Sequence, residues 1–286
     1  MRAVRLCYTD RMNEGRAETD GFTIVEVLIV LAITAVMFLG AVLLISGKQN
    51  QTEFDQAIHE VQSEIQQTIG DVSNGYFPNA NNFTCTAGAS GPLIAAGAGG
   101  GQGTNSGCTF IGKVIQFGVS GTNPEQYAVY SVAGLQQDSS GNDVTTLSAA
   151  VPTVIAPSTA NPSIPNDSIL TALENGLTTY QAKTTSNGSQ IGAVAFVSSL
   201  APTSITQPGA QHVNLIPIAG STLGMNQVTA ANTINSALQG SPTMNPSGGA
   251  QICFVSATTN QSGLITIGGN SSTLSVTLAI KGDQTC

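Results

Sequence analysis

The sequence predicts an α+β fold. A long N-terminal α-helix, membrane-spanning in its first half and amphipathic in its second, packs on an antiparallel β-sheet globular domain. Three observations predict it. Residues 22–46 are an almost unbroken apolar run, residues 54–72 keep a helical period, and short β-like runs separated by turn residues fill the chain from about residue 79. The domain organisation follows: 1–21 a leader, 22–46 the spanning helix, 47–77 its amphipathic continuation, and 78–286 a β-rich domain with an inserted subdomain at 140–250.

The apolar run reads FTIVEVLIVLAITAVMFLGAVLLIS, 25 residues with one ionisable group, Glu26. At about 1.5 Å per residue a helix of this length reaches roughly 37 Å, enough for a hydrocarbon core of about 30 Å. It is too long for the apolar core of a cleavable secretory signal, and LLISGKQNQ at its end offers no A-x-A-like site. All four Arg (Arg2, Arg5, Arg11, Arg16) precede the run, and Lys48 alone follows it closely. That bias predicts a single pass with the N-terminus inside and the long C-terminal region outside.

Glu26 is the exception within the run. A carboxylate at the centre of a membrane helix costs about 2.5–3.5 kcal/mol, and less toward its ends. One reading places Glu26 at the interface, where it snorkels; the other gives it a cation. No Lys, Arg or His lies between Phe22 and Gly47. A cut between Gly21 and Phe22 would create an α-ammonium about one helical turn away, in the same chain or in a neighbour.

Beyond Lys48, Phe54, Ile58, Val61, Ile65, Ile69 and Val72 recur at helical steps and form one apolar stripe. Gly70, Asn74-Gly75 and Pro78 mark the end. A helix from Phe22 to about Asn74 would be roughly 80 Å long. His59-Glu60 lacks a second His at Ser63, so no H-E-x-x-H metal site forms, and His59 is read as a solvated or packing residue.

Strands are expected at Cys108–Phe117, Gln126–Val132, Ile191–Leu200, Val213–Ile218, Gln251–Ser256, Leu264–Gly268 and Thr273–Lys281, making one antiparallel sheet against the helix. Residues 168–182 and 226–239 are read as short helices. The Gly-rich stretch Ala95–Gly103 lacks the Gly-Lys-Ser/Thr ending of a phosphate loop and is read as a loop. The sequons at Asn82 and Asn270 are expected by chance in so Asn/Ser/Thr-rich a chain.

Composition narrows the function. The net charge is −8, all of it beyond residue 21, and only 8% of residues are charged. No Lys/Arg cluster exists to follow a phosphate backbone, so no nucleic-acid partner is expected. His59 and His212 are the only His and no G-x-S-x-G occurs, so no enzyme, no cofactor and no metal is expected.

The run Gly21-Phe22-Thr23-Ile24-Val25-Glu26-Val27-Leu28-Ile29-Val30 resembles the N-terminal signal of type IV prepilins and the related type II secretion pseudopilins. The resemblance implies cleavage between Gly21 and Phe22 by a membrane prepilin peptidase, N-methylation of Phe22, and a docking role for Glu26 in assembly. It implies as partners other pilin subunits, the peptidase, and a pilus assembly platform with its ATPase. It also implies an inner-membrane precursor that becomes an extracellular fibre. Two features differ from the common pattern: Asp20 stands where a basic residue is usual, and no Pro interrupts the helix before Phe77. The large C-terminal region leaves room for a second reading, a membrane-anchored binding module or adhesin.

Cys7 lies in the leader. The other four Cys, Cys85, Cys108, Cys253 and Cys286, fall on the expected outer side and favour two disulfides. Three pairings are possible, and the sequential one is expected. The sequential one, Cys85–Cys108 with Cys253–Cys286, closes moderate loops worth roughly 3–4 kcal/mol each in the chain-entropy account. A bridge near the C-terminus also resembles that of many pilins. Zinc ligation is disfavoured, because no C-x-x-C spacing occurs.

Overall fold

The structure, a computed structural model, describes residues 22–77, 83–88, 90–97, 107–118, 125–156, 169–198, 213–220, 224–240, 249–268 and 274–286. The chain falls into two units, Met1–Lys48 and Gln49–Cys286. In order, the elements are α1 (Ile24–Ser73), β1 (Phe83–Gly88), β2 (Gly91–Ala96), β3 (Cys108–Phe117), β4 (Gln126–Leu135), α2 (Leu147–Ala150), β5 (Thr153–Ile155), β6 (Ile169–Ala172), β7 (Leu177–Thr184), β8 (Ile191–Ser198), β9 (Val213–Ala219), α3 (Gln227–Gln239), β10 (Ala250–Ser256), β11 (Ser262–Gly268) and β12 (Ser275–Lys281).

The stop signals read at the end of α1 act as a Schellman motif. Tyr76 N–H donates to the Asp71 carbonyl at 2.8 Å and Gly75 N–H to that of Val72 at 3.1 Å. Gly75 takes φ +64°, the left-handed conformation the motif requires. Upstream, Phe54, Ile58, Val61, Ile65 and Val72 are buried and Ile69 is partly so. Each fully buried side chain of this kind contributes about 1.5–3 kcal/mol.

The antiparallel domain is built of two principal sheets, not the single one expected. One runs β5-β4-β3-β8-β9, with β6 also paired to β4; the other runs β12-β11-β10-β7. β1 and β2 form a separate hairpin. The α1 stripe shares one core with the inner faces of both sheets. Phe117 of β3 meets Phe254 of β10 edge-on, with centroids 6.2 Å apart. The other face of the six-stranded sheet packs on α2 and α3. The central strands are therefore buried on both faces and read as continuous apolar runs. In β8, Ile191, Val194 and Phe196 face α1, while Ala193, Ala195 and Val197 face α3. The small side chains give α3 room to approach.

Two expectations are corrected. In the stretch 168–182 the described residues form β6, a turn and the first part of β7, not a helix. Asn175 (φ +55°) and Gly176 (φ +67°) both adopt the left-handed conformation, and Leu177 N–H donates to the Glu174 carbonyl at 3.0 Å. That tight turn breaks any helix and carries the chain from one sheet to the other. Among the described residues of 140–250 no separate subdomain forms, because their strands join both principal sheets. Within them β8 lies between β3 and β9, and β7 extends the four-stranded sheet beside β10. The helix read at 226–239 is α3, capped by Asn226, whose side chain accepts from Thr229 N–H.

Gly112 sits at a bulge in β3 where a Cβ would lie 2.2 Å from the Phe196 carbonyl oxygen in β8. Gly112→Ala is expected to destabilise by about 3 kcal/mol or more, since backbone must move. Gly70→Ala has open space within α1 and is expected to stabilise by about 0.5–1 kcal/mol. Urea unfolding of the two variants checks both signs.

Candidate functional site

α1 begins with Thr23 as its cap. The Thr23 hydroxyl accepts from Glu26 N–H at 3.3 Å, and the Thr23 carbonyl accepts from Val27 N–H at 3.2 Å. This hydroxyl satisfies one of the donors a helix start leaves unpaired. Glu26 therefore sits in the first turn, where the helix dipole favours negative charge. Phe22 lies just outside the helix and is 81% exposed. Gly21, the other side of the expected junction, lies outside the described residues.

From Ile24 to Val42 the helix is long and apolar enough to cross a membrane, and none of it is buried within the chain. Ile24, Leu28, Val36, Met37, Phe38 and Leu39 are all exposed, on every side of the helix. Apolar surface of that extent requires an apolar surrounding. Thr34, the one hydroxyl between Ile24 and Val42, donates back to the Val30 carbonyl at 2.9 Å, which removes its need for water. Glu26 remains the single charge in this stretch.

In the second unit the principal buried charge pair was not read from the sequence. Lys113, embedded in the apolar run of β3, is 6% exposed and donates to Asp71 near the end of α1 at 2.6 Å. A lone cation inside CTFIGKVIQF was the available signal. Glu64, two turns before Asp71 on the same face of α1, has its carboxyl pushed above the ordinary range. Burial is the main cause, opposed by Lys113 and reinforced by Asp71 and Glu60. Burial also pushes the Tyr127 phenol up to about 12, against a hydrogen bond with Thr171. A second buried polar link holds the start of α3: Tyr130 donates to Gln116 at 2.6 Å, and Gln116 donates to the Met225 carbonyl at 2.9 Å.

The Glu64 shift has a signed consequence. Its raised folded pKa means the folded state binds more protons, so its contribution to stability is complete below the ordinary value of 4.5 and is lost as pH rises through the folded value. Glu64→Gln is expected to flatten the fall in Tm just above pH 4.5. Thermal scans of both proteins across that range check it.

Both sequential disulfides are present. Cys85–Cys108 and Cys253–Cys286 have Cα separations of 5.9 and 6.0 Å and join residues 23 and 33 apart. The first ties the β1–β2 hairpin to β3. The second fixes the last residue to β10, and Gln284 adds a hydrogen bond to the Ser256 carbonyl at 3.2 Å.

A cleft of about 380 Å³ lies between the hairpin, β5 and α3, lined by residues that include Thr84, Leu93, Ile94, Asn232 and Asn235. No lining residue is charged, and Asn235 is committed to the Val154 N–H of edge strand β5 at 2.7 Å. His59 is exposed and its Nδ1 lies 3.3 Å from Gln62 Oε1. Among the described residues no group of three or more His, Cys, Asp or Glu converges. His212, most of the Gly-rich stretch and both sequon Asn residues lie outside the described residues.

Residues 19–42 match the family model described as the prokaryotic N-terminal methylation motif. The match covers the N-terminal segment alone. No curated protein and no solved structure matches the chain.

Proposed function

We propose that this chain, which carries the type IV pilin/pseudopilin signal, is a structural subunit of a type IV pilus or a related fibre. A prepilin peptidase cuts between Gly21 and Phe22 and the new terminus is N-methylated. The precursor spans the inner membrane once with its N-terminus inside, and an assembly platform with its ATPase extracts it into the fibre. Glu26 then pairs with the α-ammonium of Phe22 in a neighbouring subunit. The protein acts by assembly and not as an enzyme.

The observation that carries this reading is a helix apolar on all sides with one carboxylate in its first turn. A helix that only anchored the chain would gain nothing from that charge, which costs insertion energy. In a bundle of identical helices, each N-terminal cut supplies the missing cation. The size of the second unit favours an added surface role within the fibre, or a minor pilin or pseudopilin at the base of a secretion or DNA-uptake machine.

Mass spectrometry of sheared surface filaments tests the reading. The expected result is a repeated component whose first residue is N-methylated Phe22. A protein that still begins at Met1, or one found only singly in the membrane, overturns it.

A further inference from the structure

We propose that Lys113 and Asp71 condense into an amide: Lys113 Nζ attacks the side-chain carboxyl carbon of Asp71, water leaves, and an isopeptide bond ties the end of α1 to β3, with Glu64 carrying the protons. The inference does not depend on the fibre reading, because the groups it uses all lie in the second unit.

A Lys–carboxylate pair at a protein surface does not react, because water solvates both ions. Three observations set this pair apart. Lys113 lies mid-strand in β3, with buried Ser131 and Phe196 opposite it on β4 and β8. It alternates with Ile115 and Phe117, which share the core with α1, so its side chain points to that helix. Secondly, Nζ stands 2.6 Å from Asp71 Oδ2, and the two side chains are only 8% and 19% exposed. A nitrogen so close to a carboxylate oxygen lies about 3–3.5 Å from the carboxyl carbon, the separation of a near-attack arrangement. Thirdly, Glu64 and Asp71 lie two turns apart on one face of α1, with buried Thr68 between them. A second carboxyl thus accompanies the pair. Burial holds it above the ordinary range, opposed by Lys113 and reinforced by Asp71 and Glu60, so it can give a proton as well as take one.

Exclusion of water acts on both directions of the reaction. It penalises the two ions, which favours passing one proton along their hydrogen bond to give amine and carboxylic acid. It also slows the return, since hydrolysis needs a water at the carbon. Partners held in good orientation react with effective molarities of about 10⁵–10⁸ M.

The step balances without a co-reactant. The Lys113 ammonium gives one proton to the Asp71 carboxylate. The Nζ lone pair forms the C–N bond while Glu64 protonates the carbonyl oxygen of that carboxyl. Nζ then returns a proton to the Glu64 carboxylate. One hydroxyl breaks from the carbon and leaves as water with the proton of the other, and Glu64 ends as it began. The product closes residues 71–113 into a loop that encloses Cys85–Cys108 and that a reductant cannot open. The ion pair is the state before the bond, and its energetics are those of the unlinked chain.

The experiment uses the full chain purified from membranes, incubated, reduced and cut after aromatic residues. Tyr76, Phe77, Phe110 and Phe117 separate the two partners. Mass spectrometry is expected to find the peptides holding Asp71 and Lys113 joined, one water lighter than their sum. Lys113→Arg and Asp71→Ala are expected to give no joined peptide. Glu64→Gln, its fold checked by circular dichroism, keeps both partners and is expected to slow linking by about a hundredfold, as for a lost acid–base group. Glu60→Gln, on the exposed side, is expected to link as the wild type does. Wild-type peptides recovered only separately overturn the proposal and leave the fibre reading standing. Linking of Glu64→Gln at the wild-type rate overturns the role of Glu64.

Discussion

Cells carrying Glu26→Ala are expected to insert the protein into the membrane normally and to make no fibres. Insertion improves slightly, because the substitution removes a charge that costs up to about 2.5–3.5 kcal/mol. Assembly fails because each incoming subunit would leave an α-ammonium buried among apolar helices without a partner. Breaking a buried pair in this way costs about 3–5 kcal/mol, which corresponds to a hundredfold or greater loss in affinity for each subunit added. Membrane fractionation measures the first effect, and counting sheared filaments measures the second. Glu26→Asp keeps the charge on a shorter arm and is expected to restore a fraction of the fibres. Normal filaments from Glu26→Ala would remove the docking role.

The largest single-residue effect expected from a side chain in the second unit is at Lys113. Lys113 is 6% exposed, and its ammonium donates to Asp71 at 2.6 Å. Lys113→Met fills the same space but leaves Asp71 without its cation and Glu64 without the one charge that opposes its raised pKa. The expected loss is about 3–5 kcal/mol. The double variant Lys113→Met, Asp71→Leu is expected to recover most of it, since replacing both partners by apolar groups is often near neutral. Urea unfolding of the two single variants and the double variant gives the coupling energy directly. A loss below about 1 kcal/mol in Lys113→Met would show that the pair does not hold the helix to the sheet.

The signals that were legible are those of local periodicity. Each of the seven expected strands lies on one observed, with ends shifted by a few residues, and the α1 stripe is buried where its spacing placed it. What escaped was segments with little period of their own. β1, β2 and β5 are short edge or hairpin strands with few large apolar residues. SILTALENGLTTYQA, which supplies β6 and β7, places Leu170, Leu173 and Leu177 at helical steps. The Asn175-Gly176 turn overrides that spacing.

By itself the chain determined its apolar N-terminal helix with one carboxylate, the amphipathic stripe and where that helix stops, and most of the strands, because each depends on neighbours within about one turn or one pleat. Only the tertiary structure decided how the strands divide into two sheets and that the described strands within 140–250 belong to both of them. It likewise supplied Lys113 with a partner 42 residues away, whereas the links Cys85–Cys108 and Cys253–Cys286 are the pairing expected from the sequence. Those choices rest on contacts between residues far apart in the chain, whose free energy comes from burial and desolvation that exist only once the core has formed.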